Sequence, residues 1–551
     1  MLNWRPMTTR LRICACLTAL VAVATPALAA GHRARIDRSI EDFEQRGGTR
    51  GSKKIRLIVQ PDGTTSNAAL LQALKAKGVK VRRQHGRIGR FSIELTASAL
   101  SSLETMKGVG GLSVDAPISH ASLDMSLVST ISDGSGTPVT GNVLRALLGL
   151  TDDTHYGAGV GVAVIDSGIA PVQDLAGKIS AFYDFTNGQA GAATAPVDGY
   201  GHGTHVAGLI AGSGALSNGQ YAGVAPDAHL IGLRVLDDSG SGSTSDVIAA
   251  VEFATAHKAD LGIDVINMSL GHPPYESATT DPLVAAVTAA EQAGIVVVVS
   301  AGNVGQSPVT GEIGYAGILT PGNAPAALTV ASAKPMGTLD PTDDLIANYS
   351  SRGPTWYDGY AKPDVAVPGQ VVIAPFAPDS YLGTTYPSML VADASGNNTY
   401  LALSGTSMAA GVESGLVAVV IQAHREAQAA MYPNVTPSGP DLTPNAIKAF
   451  MEYTAFPMHD ATGAQYSPLA EGAGHVNGQG VVALAQSVDT TVPVGSPWIV
   501  NSVSESSTYG DVTIPWGQNI VWGENIVWGE NIVWGENIVW GENIVWGENI
   551  V

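Results

Sequence analysis

Along the middle of the chain, uninterrupted apolar runs alternate with stretches in which apolar residues recur at helical spacing. "GVGVAVID", "AHLIGLRVL", "DVINMSL" and "GIVVVVSAG" are continuous and bounded by turn residues, as strands buried on both faces are. Between them, "THVAGLIAG", "SDVIAAVEFATAH" and "PLVAAVTAAEQAG" read as helices. The alternation fills residues 141–487 and predicts an α/β unit, a parallel sheet with helices on both faces.

A smaller pattern precedes it. Over residues 53–120, strands are expected at "KIRLIVQ", "VKVRRQ", "RFSIELT" and across "GLSVDAPISHA". Helices are expected over "SNAALLQALKAKG" and residues 97–108. That order, β-α-β-β-α-β, is a small α+β, ferredoxin-like domain. Residues 31–52 are polar and charged and read as a flexible leader; 121–140, rich in Ser, Thr, Gly and Asp, read as a linker, and 488–515 as another. From 516 to 551 one "WGQNIV" is followed by five "WGENIV". The even period puts Trp, Glu and Ile on one face of a strand, so this hexapeptide-repeat tail is expected to have β character. It is open to surface attachment or to self-association by edge pairing.

Residues 1–30 differ from the rest. Arg5, Arg10 and Arg12 precede the apolar run "ICACLTALVAVA", and small residues follow at Ala27 and Ala29. This is the order of a secretory signal peptide, and the run is too short to span a bilayer comfortably. A secreted, extracellular or cell-surface protein is expected. Both cysteines, Cys14 and Cys16, lie inside the segment, so the processed chain would have no disulfide, thiol nucleophile or thiolate ligand.

Charge divides the chain further. Residues 31–120 hold 16 Lys and Arg against 8 Asp and Glu, whereas 121–551 hold 9 against 40. A basic unit ahead of a strongly acidic one predicts mutual attraction. The acidic part has almost nothing with which to neutralise phosphate, so nucleic acid is not an expected partner.

Three short stretches carry candidate chemistry. "VAVIDSGIAP" ends a strand at Asp166; "GHGTHVAGLIAG" opens a helix at His202; "LSGTSMAAG" opens another at Ser407. In an α/β sheet such strand ends and helix starts converge on one edge. Acyl transfer needs a nucleophile, a base for its proton and a carboxylate to orient the base.

The order Asp, His, Ser with these flanking motifs resembles the subtilisin-like serine peptidases, over roughly Asn142 to Ala485. The resemblance implies a subtilisin-like fold and a serine endopeptidase that hydrolyses polypeptides through an acyl-enzyme. Ser407 would be the nucleophile, His202 the general base and acid, Asp166 the orienting carboxylate, and His205 a packing residue one turn along. Asn303 in "SAGNVG" resembles the oxyanion-hole amide, whose loss in subtilisin costs about 100- to 1000-fold in turnover. Gly240, Ser241 and Gly242 resemble one substrate-pairing strand; Ser269, Leu270 and Gly271 resemble the other, which also lines the first specificity pocket. With no charged residue at that pocket, an apolar or undemanding preference is expected. The basic domain resembles an inhibitory propeptide acting in cis, its processing site in or near 121–140. No cofactor is implied for the chemistry. Structural calcium is, with Asp174 as a carboxylate ligand.

Two departures stand out. Gly411 follows "GTSMAA" where the family has Pro, and residues 376–400 carry extra loop, read as a decorated hairpin rather than a substrate-shaping element. A metallohydrolase reading of His202 and His205 lacks an HExxH motif and a third ligand at a recognisable spacing. A non-catalytic binding or structural protein is disfavoured by the complete set of Asp166, His202, Asn303 and Ser407. A narrow processing peptidase is the other alternative. His202 must be neutral to accept a proton, so activity is expected at neutral pH or above.

Overall fold

The computed structural model describes residues 32–50, 52–120, 142–150, 154–189, 191–433, 441–493, 496–521 and 537–539. The expected signal peptide, the 121–140 linker and most of the repeat tail lie outside these residues.

The small unit is a five-stranded sheet. β1 (Arg35–Ile36), β2 (Lys54–Pro61), β3 (Lys80–His85), β4 (Arg90–Thr96) and β5 (Val109–Val114) are ordered β1-β5-β2-β4-β3. Helices α1 (Arg38–Gln45), α2 (Asn67–Ala76) and α3 (Leu100–Glu104) accompany it. The four expected strands pair antiparallel in the ferredoxin-like order. Two expectations need correction. Residues 31–52 are not a flexible leader: β1 pairs with β5, Asp37 caps α1, and Ile40 is buried in the small core. The last expected strand is two strands. It breaks at Asp115–Ala116, and β6 (Pro117–His120) leaves the small sheet altogether.

The large unit is the predicted α/β layer structure, opened by α4 (Val143–Leu147). Its first strands in the chain are β7 (Gly161–Asp166), β8 (Ile179–Asp184), β9 (Ala192–Ala193) and β10 (His229–Arg234). The short β11 (Ser241–Ser243) and β13 (Leu270–Gly271) stand apart, while β12 (Ile263–Met268), β14 (Val296–Ser300), β15 (Leu328–Lys334), β16 (Leu345–Ile346) and β17 (Val365–Pro368) continue the sheet. Only β9 and β16, short strands at its margins, run antiparallel to their neighbours.

Alternate residues of each strand feed opposite faces. Val162, Val164, Val296 and Val298 pack with α5 (His202–Ala211) and the long α10 (Thr406–Met431). Ala163, Ile165, Val297 and Val299 pack on the other side with α6 (Thr244–Ala256) and α8 (Pro282–Gln292), the short α7 (Lys258–Leu261) lying between these helices in sequence. Helix α10 is apolar and long enough to cross a bilayer, but its apolar window is entirely buried, so it is the central core helix. Burial on every side over residues 406–424 explains why that stretch shows no polar face.

Residues 488–515 are not a free linker. Trp498, Tyr509 and Ile514 join the main core, as does Trp516 of the first repeat, whose indole donates to Ser507 at 3.0 Å. In the tail, residues 519–521 and 537–539 form a parallel pair, Asn519 opposite Asn537, three repeats apart.

Candidate active site

Asp166 is the last residue of β7, and His202 the first of α5. They meet because the intervening backbone is held by a second aspartate. Asp198 accepts hydrogen bonds from Gly201 N (2.7 Å), Thr204 N (2.8 Å), Thr204 Oγ1 (2.6 Å) and Ser167 Oγ (2.9 Å). Ser167, next to Asp166, accepts in turn from Gly203 N at 3.0 Å. The start of α5 is thereby stitched to the end of β7. Asp198 is fully buried, and burial raises its pKa against the lowering effect of these donors. A Cβ at Gly203 would strike the Gly168 carbonyl, so the approach of helix to strand requires glycine there.

The His202 ring nitrogen Nδ1 lies 2.9 Å from both oxygens of Asp166, and both side chains are buried. An ionised carboxylate accepts only, so Nδ1 carries the proton and Nε2 is the basic nitrogen of the neutral ring. His205 Nε2–H donates to the Leu401 carbonyl, 2.9 Å away, and burial pushes its pKa down to about 3. It is a neutral packing residue tying α5 to the hairpin ahead of Ser407.

Ser407 sits in the first turn of α10, and its hydroxyl donates to the Ser269 carbonyl at 3.2 Å. The Ser269 hydroxyl donates back to the Ser407 carbonyl at 2.9 Å and to Asn267 at 3.1 Å. Helices α5 and α10 touch where Gly411 faces Val206 and Leu209. That contact is one turn past both His202 and Ser407, so the two N-terminal turns lie side by side. Gly411 leaves α10 continuous, and a Cβ there would meet Val206 and Leu209 of α5 at 3.4 Å.

Asn303 follows β14. Its Oδ1 accepts from Thr406 N and Thr406 Oγ1, both at 2.9 Å. Because a backbone N–H can only donate, the amide oxygen is fixed toward Thr406, and Nδ2 stands beside Gly405 at the approach to Ser407.

The two short strands expected to pair with substrate are paired here with a strand of the chain itself. β6 lies between β11 and β13, antiparallel to both. Ser241, Gly242 and Ser243 pair with Ser119, Ile118 and Pro117; Leu270 and Gly271 pair with His120 and Ser119. Gly240 does not pair. It turns the chain at φ +73°, its N–H bonded to Asp237. Ser243 pairs with β6 where Gly240 does not.

Asp174 does not present itself as a metal ligand. One oxygen accepts from the Tyr400 hydroxyl at 2.6 Å and the other from Leu216 N at 3.2 Å. No group of three His, Cys, Asp or Glu suited to a metal occurs among the described residues. A lone carboxylate engaged by two donors does not fit calcium, which takes six to eight oxygens.

Asp198, Ser167, Thr204 and Thr406 are positioning residues that the motif reading passed over. Asp198 was signalled only by standing ahead of a helix start, where such residues accept from exposed N–H groups.

A buried Asp–His pair, a serine at a neighbouring helix start and an amide beside it define a serine hydrolase on a doubly covered parallel sheet. Residues 157–481 match the subtilase family, peptidase S8, and the chain belongs to that family. Serine protease AprX of Bacillus subtilis (strain 168) is 36% identical over 413 residues, 74% of this chain and 82% of AprX. Thermitase of Thermoactinomyces vulgaris is 33% identical over 276 residues, 50% of this chain and 79% of thermitase. Among solved structures, fervidolysin of Fervidobacterium pennivorans, a keratinolytic enzyme related to subtilisin, is similar in fold. Its TM-score is 0.59 at 22% identity, over 82% of this chain and 63% of fervidolysin. The chain thus spans less than two thirds of that protein. It is a subtilisin-like serine protease acting on polypeptides, with no cofactor needed for the chemistry.

Proposed function

We propose that this protein is a secreted endopeptidase made as a self-processed zymogen, with Ser407, His202 and Asp166 as its triad. Ser407 Oγ attacks the substrate carbonyl while His202 Nε2 takes its proton. Asp166 holds the ring in that tautomer and stabilises the imidazolium. The oxyanion is met by Asn303 Nδ2 and the Ser407 N–H. Collapse expels the amine, protonated by His202, and leaves an acyl-enzyme that water hydrolyses by the same steps in reverse order. Ser241–Ser243 and Leu270–Gly271 pair with the substrate main chain, which suits many sequences because every peptide offers the same backbone.

The observation that carries the zymogen reading is the seat of β6. This strand, continuous with the basic unit, fills the groove between the two substrate-pairing strands and ends alongside Leu270, next to the Ser269 that holds Ser407. Residues 32–120 then act in cis as inhibitor and first substrate, and the cut falls in or near 121–140. Secretion follows from the signal-like residues 1–30. The repeat tail is a candidate for attachment or self-association.

Intact masses of secreted wild type and Ser407→Ala test this. The wild type is expected to lose the basic unit and the variant to keep it. If both are cut alike, another protease matures the chain. If neither is cut, the basic unit is permanent and the zymogen reading fails.

A further inference from the structure

The chain between β18 (Val372–Pro375) and β20 (Asn398–Leu403) is longer than a simple hairpin needs. It carries α9 (Tyr381–Thr385) and β19 (Leu390–Ala392). It is anchored on the loop that leads to His202. Tyr381 N donates to Gly199 O at 2.9 Å and Leu382 N to Tyr200 O at 3.1 Å, with Leu382 fully buried. A Cβ at Gly201 would collide with Ser380, so the two segments are fitted closely. At its other end the hairpin runs from Leu403 directly into Thr406 and Ser407. The insert therefore bridges the approach to the base and the approach to the nucleophile.

On this bridge the Tyr381 ring stacks on Tyr200, 5.5 Å between centroids and 10° from parallel. Tyr200 is buried, whereas Tyr381 is 47% exposed. One aromatic ring thus stands half exposed against Tyr200, which lies two residues before His202. β6 fills the pairing strands as far as His120, and Tyr381 stays open with that strand in place. The exposed ring is left for a part of a polypeptide that β6 does not stand in for.

We propose that Tyr381, held by Tyr200, is a specificity-determining residue. It receives an apolar or aromatic side chain on the carboxyl side of the scissile bond. This rests on the assignment of Ser407 and His202 as the reacting groups. The extra loop is then a substrate-shaping element, not decoration.

The test uses the mature enzyme and two quenched fluorescent peptides, identical up to the cleaved bond and carrying Phe or Gly just after it. A peptidyl p-nitroanilide, which has no residue beyond the bond, is the third substrate. Wild type is expected to favour Phe. In Tyr381→Ala the Phe-to-Gly ratio of kcat/KM should fall roughly three- to tenfold, the range of an aromatic contact, while Tyr381→Phe keeps it. A ratio that does not move in Tyr381→Ala overturns the proposal, including when all substrates slow together, since that would be an effect through the His202 loop. Anilide hydrolysis that survives Ser407→Ala would instead break the assignment of the nucleophile, a separate failure.

Discussion

Asp174 and Tyr400 show how a single hydroxyl changes what a carboxylate does. The sequence offers Asp174 as a calcium ligand only through its distance from Asp166, and distance along a chain does not reveal which atoms arrive in space. Tyr400 comes from more than two hundred residues away and donates to it at 2.6 Å within the core. The prediction is that stability does not depend on calcium through Asp174. Melting temperature should be the same in millimolar calcium and in EGTA, or any difference should persist in Asp174→Asn. Tyr400→Phe should cost about 1–3 kcal/mol, because it leaves a buried carboxylate oxygen without its donor. A calcium stabilisation that disappears in Asp174→Asn would contradict this. The residues proposed to react stand out in the sequence, whereas Asp174's partner does not. Each of Asp166, His202, Asn303 and Ser407 sits in a motif whose neighbours are themselves constrained, such as Gly203 against the Gly168 carbonyl. Asp198 is not legible in the sequence because its role lies in four donors spread over three other residues.

Elements were legible where periodicity is strong and obscure where tertiary position decides. β2, β3 and β4 fall where alternating apolar residues put them. Residues 111–121 read as one strand, since both halves are β-like in sequence; only the groove in the large unit separates β6 from β5. Residues 488–515 read as a linker because their aromatics are sparse, although each one is a core residue. Within α10 one residue contradicts its surroundings. Glu413 is completely buried with no hydrogen-bond partner for either oxygen, and burial pushes its pKa up to about 8. The folded state therefore holds this proton more tightly than the unfolded chain, where Glu titrates near 4.5. Stability from this group is complete below the unfolded value and is lost as pH rises toward and through about 8, by a few kcal/mol on the order-of-magnitude scale. Glu413→Gln should flatten that decline. Denaturant midpoints of both proteins between pH 5 and 9 would show it, and parallel curves would rule it out.

At the scale of the whole molecule, the charge asymmetry of the sequence becomes a specific interface. Arg35 pairs with Glu276, and Arg83 reaches Asp246 at 3.5 Å as well as the carbonyls of Ser245 and Gln189. Glu252 accepts from the backbone N–H groups of Arg87 and Ile88, and Asp115 accepts from Ser245 N and Oγ. The apolar share is narrower: Ile58 and Ile118 of the small unit are buried in the core cluster formed by α6 and α8. Arg35 is 35% and Arg83 15% exposed, so their ion pairs are screened only in part, while the longer-range attraction between the two units weakens as salt shortens the Debye length from about 10 Å at 0.1 M to about 3 Å at 1 M. If the basic unit is a propeptide, its departure after cleavage should therefore quicken with salt. The delay between cleavage on a gel and full activity should shorten as sodium chloride is raised over that range. Arg83→Glu, which turns an attraction to Asp246 into a repulsion, should shorten the delay at low salt and respond less to added salt. A delay indifferent to both changes would mean that Ile58, Ile118 and the backbone pairing of β6 hold the small unit in place, with charge serving only to bring the two units together.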